Sequence, residues 1–383
     1  MQPPEPQPTG QPTAPELTDR LAWTREGAYL VAPGVYRIPL PLPFDGLKAV
    51  NVYAIEASDG LVMIDSGWVL DVTKEQLERS LARIGAALGD IRRFLITHIH
   101  RDHYTQAIAL RKTFGTKIAL GADEKHSLDA LLGQDVRAMA AQAQRLIAAG
   151  AQPLISQMTE AGFQHPPADN GYAEPDEWIA NGQSFDLGTR TLEAIATPGH
   201  TRGHVVFADR AAGVLFAGDH ILPQITPSIG FEAAPPPLPL HDFLESLLLV
   251  RQMPDLTLLP AHGPVAPSVH ARIDELLDHH DDRLRAIAAV LTDGQRTAYE
   301  VALAIPWTSQ GRKLGELDLI NQILAVGETG YHLDLLVARG IASAQLADEI
   351  RLYQLAGPTS GEQARTEPTN AGPVSTGPVS LPR

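Results

Sequence analysis

Four residues able to hold a metal ion share one short stretch: His98, His100, Asp102 and His103, in Thr97-His98-Ile99-His100-Arg101-Asp102-His103. Neutral imidazole nitrogens with a carboxylate suit zinc best, with iron and manganese as alternatives. The stretch follows Ile91-Arg92-Arg93-Phe94-Leu95-Ile96, an apolar run of strand length. Donors at the end of a buried strand sit on a rigid support, as a metal site requires. Other strand-like runs end in the same kinds of residue. Leu61-Val62-Met63-Ile64 leads to Asp65, and the run from Arg190 leads to Thr197-Pro198-Gly199-His200. The run from Gly213 leads to Gly218-Asp219-His220, and the run from Leu256 to Pro260-Ala261-His262-Gly263. The four strand ends at Asp65, His98–His103, Asp219 and His262 are expected to line one edge of the sheets, where α/β enzymes place their chemistry.

The elements that must position these residues alternate along the chain. Gly34–Pro39 and Val50–Glu56 read as half-buried strands. Leu77, Leu81, Ile84 and Leu88 predict a helix over Lys74–Leu88 capped by Gly89. A helix after the histidine stretch, a strand at Lys117, and a less regular insertion from Ala122 to Asp176 follow. Within the insertion, Val136–Ala149 is a helix former and 161–176 is loop-like; long insertions of this kind often cover a site. A helix over Val269–Leu291, a capping box at Thr297-Ala298-Tyr299-Glu300, a helix over Leu317–Arg339 and two short strands complete the ordered part. Residues 1–18 and 357–383, rich in Pro, Gly, Ser and Thr, cannot bury enough apolar surface to order themselves. The expected organisation is therefore 19–266 as one α/β unit and 267–356 as a smaller helical one.

Composition narrows the function. The 383 residues carry a formal net charge of −15, which repels phosphate backbones and disfavours nucleic acid as a partner. Over 283–356, seven Lys/Arg face eight Asp/Glu, so that segment lacks the basic face of a DNA reader and is expected to pack or dimerise. There are no cysteines, which excludes disulfides and thiolate ligands. No run of about 18 apolar residues predicts a membrane span. No basic-then-apolar leader is present, so the cytoplasm is the expected compartment.

Taken in order, Asp65 in Met-Ile-Asp-Ser-Gly, the His98–His103 stretch, His200, Asp219 and His262 resemble the metallo-β-lactamase fold superfamily over about residues 30–265. The resemblance implies an αββα sandwich with a two-metal site between the sheets. It assigns His98, His100 and His200 to one ion, Asp102, His103 and His262 to the second, and Asp219 as the bridge. It further implies a metal-activated hydroxide attacking an acyl carbonyl, with Asp102 also handling the proton. Asp65, Thr97 and His204 are expected to orient ligands from behind. His220 is left between substrate contact and a structural role, and Tyr104 is expected in the core. His126, His165, His241, His270, His279, His280 and His332 lack ligand spacing and read as surface or packing. Thr-His-x-His-Arg-Asp-His, Thr-Pro-Gly-His and the C-terminal helix order are similar to the glyoxalase II side, and within it to the winged-helix metallo-hydrolases. That group includes endoribonucleases and fungal polyketide thioesterases. Tyr104-Thr105-Gln106 departs from the small residues usual there.

The expected activity is hydrolysis of a thioester, ester or lactone of a small organic acyl group. Apolar residues at Leu131, Leu132, Ile155, Phe163, Trp178, Ile225, Ile229 and Phe231 are expected to receive that group. The alternatives are a phosphodiesterase, an iron-dependent sulfur dioxygenase, and a metal-stabilised binding protein without activity. A homodimer is compatible with the sequence.

Overall fold

The apolar runs show little alternation because their strands are buried on both faces. This is seen in a computed structural model that describes residues 21–43, 46–133, 136–161, 171–308 and 310–357. The expected disorder over 1–18 and beyond 357 lies outside the described residues, as do Phe163 and His165. In chain order the elements begin with β1 (Tyr29–Ala32), β2 (Val35–Pro41), β3 (Ala49–Ala57), β4 (Gly60–Ile64), α1 (Asp71–Ala82), β5 (Ile91–Ile96), α2 (Arg101–Phe114) and β6 (Lys117–Gly121). The insertion holds α3 (Lys125–Leu132), α4 (Val136–Ala148) and α5 (Gln152–Glu160), followed by β7 (Glu177–Ile179). Next come β8 (Ser184–Asp186), β9 (Thr191–Ala196), β10 (Val205–Asp209), β11 (Val214–Gly218), α6 (Pro239–Arg251) and β12 (Thr257–Pro260). The chain continues through α7 (Val269–Val290), α8 (Ala298–Ala304), α9 (Leu319–Ala338), β13 (Ala342–Ala347) and β14 (Ile350–Leu355).

The strands form a seven-stranded sheet in the order β1 to β7, a five-stranded sheet in the order β12-β11-β10-β9-β8, and the β13-β14 hairpin. Strands β4 to β7 run parallel, as do β11 and β12; the remaining neighbours are antiparallel. Period-two geometry sends alternate side chains to opposite faces. Val62, Ile64, Leu95, Phe207 and Phe216 fill the space between the two large sheets. Leu61, Met63, Phe94 and Ile96 face α1 and α2. Val206, Ala208, Leu215 and Ala217 face α6 and α7. The layers are therefore α, β, β, α, each buried aliphatic or aromatic side chain contributing roughly 1.5–3 kcal/mol.

Two expectations are corrected. β3 is not half-buried: Val50, Val52 and Ala54 face the helices while Tyr53 and Ile55 face the second sheet. α1 ends at Ala82 rather than Leu88, because Gly85 takes a left-handed φ of 75° and turns the chain, although Ile84 and Leu88 still pack on the same core. α9 is continuous through Gly327. The helices after 267 share a hydrophobic cluster with the five-stranded sheet through Val269, Ile273, Leu276 and Leu333. The insertion packs on them, with Leu146, Ala151 and Leu154 against Ala302, Ile323 and Val326.

Candidate metal centre

Asp65, His98, Asp219 and His262 each follow the last residue of a strand or lie within two residues of it, at the ends of β4, β5, β11 and β12. His262 is placed by bonds between the sheets. Asn51 on β3 donates to the Pro260 and Gly263 carbonyls at 3.0 and 2.9 Å, and Tyr53 Oη donates to Pro260 at 2.7 Å. His103 lies in the first turn of α2, so helix formation aims it beside Asp102.

The outer nitrogen of each of five imidazoles is fixed. His100 Nε2 donates to the Phe231 carbonyl at 2.8 Å, His200 Nδ1 to Ser228 at 2.6 Å, and His262 Nδ1 to Ala49 at 2.8 Å. His103 Nδ1 donates to Asp65 Oδ2 at 2.8 Å. The Thr97 hydroxyl donates to the Asp65 carboxylate, leaving its oxygen to accept from His98 Nδ1 at 3.0 Å. A neutral imidazole with one nitrogen donating presents a bare lone pair at the other. Three of those lone pairs converge: His98 Nε2, His100 Nδ1 and His200 Nε2 lie 3.0–3.2 Å apart. None of them can donate to another in that tautomer. A second group faces them. His103 Nε2 and His262 Nε2 both lie 3.4 Å from Asp102 Oδ2, and Asp219 Oδ1 lies 3.7 and 3.4 Å from the same two nitrogens. The other Asp219 oxygen, Oδ2, lies 3.5 Å from His200 Nε2. His103 Nε2, His262 Nε2 and Asp219 Oδ1 are buried without a hydrogen-bond partner. Nitrogens about 3 Å apart with their lone pairs turned inward fit a common ion at the roughly 2.0–2.1 Å of a zinc–imidazole bond. His98, His100, His200 and Asp219 form one such group, and Asp102, His103 and His262 the other.

Electrostatics agree with a site built for cations. Burial and the neighbouring imidazoles hold His98 well below its ordinary value, and burial brings His200 down to about 3. Burial also disfavours charge on His262, yet Asp219 and Asp102 outweigh it and raise His262 to about 10. Burial would raise Asp102, but His103 and His262 pull it well below the usual carboxylate range. Buried carboxylates facing buried imidazoles demand positive charge, from protons or from metal.

The surroundings hold this arrangement. Asp65 has a φ of 59°, a left-handed conformation that Asp tolerates better than most residues, and it also accepts from the Thr97 N–H at 2.8 Å. His204 accepts from the Asp219 N–H at 3.2 Å and stacks on His98 with centroids 5.1 Å apart. Gly218 (φ 51°) must lack a side chain, since a Cβ there would sit 2.6 Å from His204 Nε2 and 2.7 Å from Thr97 Cβ. His220 is fully buried, its ring 5.1 Å from that of Phe243 and 6.0 Å from that of His204. Tyr104 is buried, its hydroxyl donating to the Ala173 carbonyl at 2.7 Å.

Sequence reading missed several parts. The Ser228, Phe231 and Ala49 carbonyls carry no side-chain signature. Glu124 gave no signal either, yet it is fully buried and accepts from the Ile99 N–H at 3.3 Å and from the Thr201 hydroxyl. It thereby ties the loop between His98 and His100 to the residue after His200. Burial and nearby Glu232 raise its carboxyl to about 8. Glu124→Ala is expected to cost about 1–3 kcal/mol in stability for the donors it orphans. Zinc titration against a chelator should show weaker binding at the three-histidine group, and unchanged binding would refute that coupling.

Among the described apolar residues expected to receive substrate, Ile229 and Phe231 line a cavity of roughly 190 Å³. It lies between α4, residues 228–231, α9 and β14, with Arg145, Leu146, Ile323 and Val326 on its walls. Leu131 and Trp178 pack on the helix-facing core and Ile155 on the C-terminal helices, while Leu132 and Ile225 are exposed.

Comparison with known proteins gives consistent matches. A family model described as the metallo-beta-lactamase superfamily matches residues 45–262. The chain is 25% identical to "Probable metallo-hydrolase YqjP" of Bacillus subtilis over 79% of its own length and 92% of that protein. It is also 25% identical to the "Lactamase-like protein nscB" of Neosartorya fischeri over 68% of this chain and 66% of that one. A crystal structure of a beta-lactamase domain protein from Burkholderia ambifaria superposes with a TM-score of 0.72 at 26% identity, covering 86% of this chain and 94% of that one. The Thermus thermophilus metallo-beta-lactamase family protein TTHA1429 gives 0.65 at 26% identity, covering 84% and 99%.

Proposed function

From the premise that this chain belongs to the metallo-beta-lactamase superfamily, we propose that it hydrolyses a thioester, ester or lactone of a small organic acyl group, using two divalent ions of the zinc type. The observation that carries this reading is the convergence of bare nitrogens into two groups, with the Asp219 oxygens divided between them. In the proposal His98, His100 and His200 hold one ion, Asp102, His103 and His262 the other, and Asp219 both. When bound, the ions supply Lewis acidity, bringing the pKa of water to about 7 and stabilising the oxyanion.

The chain's own groups supply the rest. Asp102, with its side chain 17% exposed, lies on the open side of the site, where Oδ2 can orient a nucleophilic water and pass its proton to the leaving group. The carbonyls of Ser228 and Phe231 keep His200 and His100 in the tautomers that turn their lone pairs inward. The Phe231 ring, 40% exposed and 6.4 Å from the His100 ring, links the site to the apolar cavity behind residues 228–231. That wall supports an acyl substrate over a polyanion, and the net charge of −15 weighs against phosphodiesters of nucleic acid. We read α7–α9 with the β13-β14 hairpin as a winged-helix-type module used for packing. Among the described residues, no helix is long and apolar enough to cross a membrane.

The test is an assay of the zinc-loaded chain on a panel of acyl thioesters and lactones. Turnover should disappear on removal of metal with a chelator and return on reloading. Full metal loading with no hydrolysis of either class would overturn the assignment.

A further inference from the structure

A second cluster of metal-binding side chains lies away from the centre described above, between α7 and α9. His279 and His280 on α7 and Glu328 on α9 each offer a donor atom, all within 4.8 Å of one another. The tautomers here follow from the hydrogen bonds. His332 Nδ1 donates to the Glu328 carbonyl at 2.8 Å, so His332 Nε2 is bare and accepts from His280 Nδ1 at 3.1 Å. His280 Nε2 is then a bare lone pair. His280 is 1% exposed, and its Nε2 has no partner; neither does the buried Nε2 of half-buried His279. Two unpartnered nitrogens beside a carboxylate form the donor set of a borderline-soft divalent ion.

We infer that His279, His280 and Glu328 form a third metal site, structural in role, that takes a zinc-type divalent cation and ties α7 to α9. His332 belongs to it as the residue that orients His280, its ring stacked at 5.3 Å on that of His280. The fourth position is left for water. The carboxylate offsets part of the ion's charge. The nearby cation Arg283 is engaged elsewhere, donating to the Pro306 carbonyl at 2.7 Å and lying 4.5 Å over the Trp307 ring. Arg272 and Asp282 also act on His279, with opposite sign. Glu328 lines the cavity beside α4, which gives an ion a route in. Phe243 packs between His280 and His220, with centroids 5.5 and 5.1 Å away, so the cluster adjoins the residue after Asp219 without sharing a donor with the first centre.

The experiment compares the full-length chain with a His279→Gln/Glu328→Gln double variant, whose changed residues are half-buried and keep a polar, similarly sized side chain. Both are dialysed against buffered zinc, and bound metal per chain is measured by elemental analysis. The expected result is one zinc equivalent fewer in the double variant, with zinc raising Tm more in the wild-type chain. A conservative His280→Asn single variant, losing the same equivalent, would place the ion on that nitrogen. Anomalous scattering from zinc-soaked crystals should peak between α7 and α9. Equal zinc content in wild type and double variant, or no anomalous peak in the cluster, overturns the inference. Both readouts count metal at this cluster, so they stand whether or not acyl hydrolysis is found.

Discussion

Asp219→Asn is expected to lower kcat/KM by roughly 10³-fold, about 4 kcal/mol of transition-state stabilisation, and to reduce tightly bound zinc at the catalytic centre. The size follows from position. Asp219 Oδ2 lies 3.5 Å from His200 Nε2 and Oδ1 3.4 Å from His262 Nε2, so its two oxygens face the two groups of donors. Asparagine keeps one acceptor and turns an NH2 group toward the other group, where it cannot ligate. The fold should survive, because among the described residues the carboxylate accepts no backbone N–H; the residue is held by its own N–H to His204. The metal-free variant should nevertheless melt below the metal-free parent, because Asp219 helps hold the proton on His262 there and removing one partner of a buried charge pair is destabilising. The metal-loaded variant should melt lower than its loaded parent. An Asp219→Asn chain with full zinc content and near-normal turnover would remove Asp219 from the centre.

The same site shows what the sequence makes legible. His98, His100, Asp102 and His103 are readable because a strand end and one helical turn bring them together locally. Asp219 and His262 are readable because each follows an apolar run buried on both faces, and His200 because it closes Thr-Pro-Gly-His after β9, a strand with Thr191 exposed and Glu193 half-buried. The sandwich is implied by the resemblance that these ordered motifs carry. The supports are less so. His100, His200 and His262 are oriented by main-chain carbonyls, which every residue carries, and Glu124 acts across the fold on Ile99 and Thr201. His279 and His280 gain meaning only when α9 packs Glu328 and His332 against α7, a contact about fifty residues distant with no local spacing. Where an apolar residue packs is not readable from its type: Ile155 in the insertion packs on the C-terminal helices and Trp178 in β7 on the helix-facing core, and only the tertiary fold chooses between such destinations.

Asp65 is the residue whose removal should most disturb the support of the site without removing a proposed ligand. Its carboxylate accepts from the Thr97 N–H at 2.8 Å, the Thr97 hydroxyl at 2.9 Å and His103 Nδ1 at 2.8 Å. All these donors need an acceptor. Asp65→Asn keeps one oxygen and, because Asn also tolerates a left-handed φ, leaves the backbone unstrained. One carboxylate oxygen becomes an NH2 group, and donor then faces donor. If it faces His103, the imidazole can relieve the conflict only by moving its proton to Nε2, the nitrogen turned toward Asp102. If it faces Thr97, the Thr97 N–H loses its acceptor while the hydroxyl keeps the remaining oxygen at 2.9 Å; the orientation toward His103 is the one that misdirects a ligand lone pair. Zinc affinity is expected to fall about 10–100-fold, with a stability cost of about 1–3 kcal/mol for the orphaned buried donor. Chelator-competition titration reads the first effect and thermal melting of the metal-free chain the second. A fall in Tm with unchanged zinc affinity would make Asp65 a structural bond alone. Loss of affinity restored in Asp65→Glu would instead show that a carboxylate, rather than its exact reach, holds the proton on His103 Nδ1.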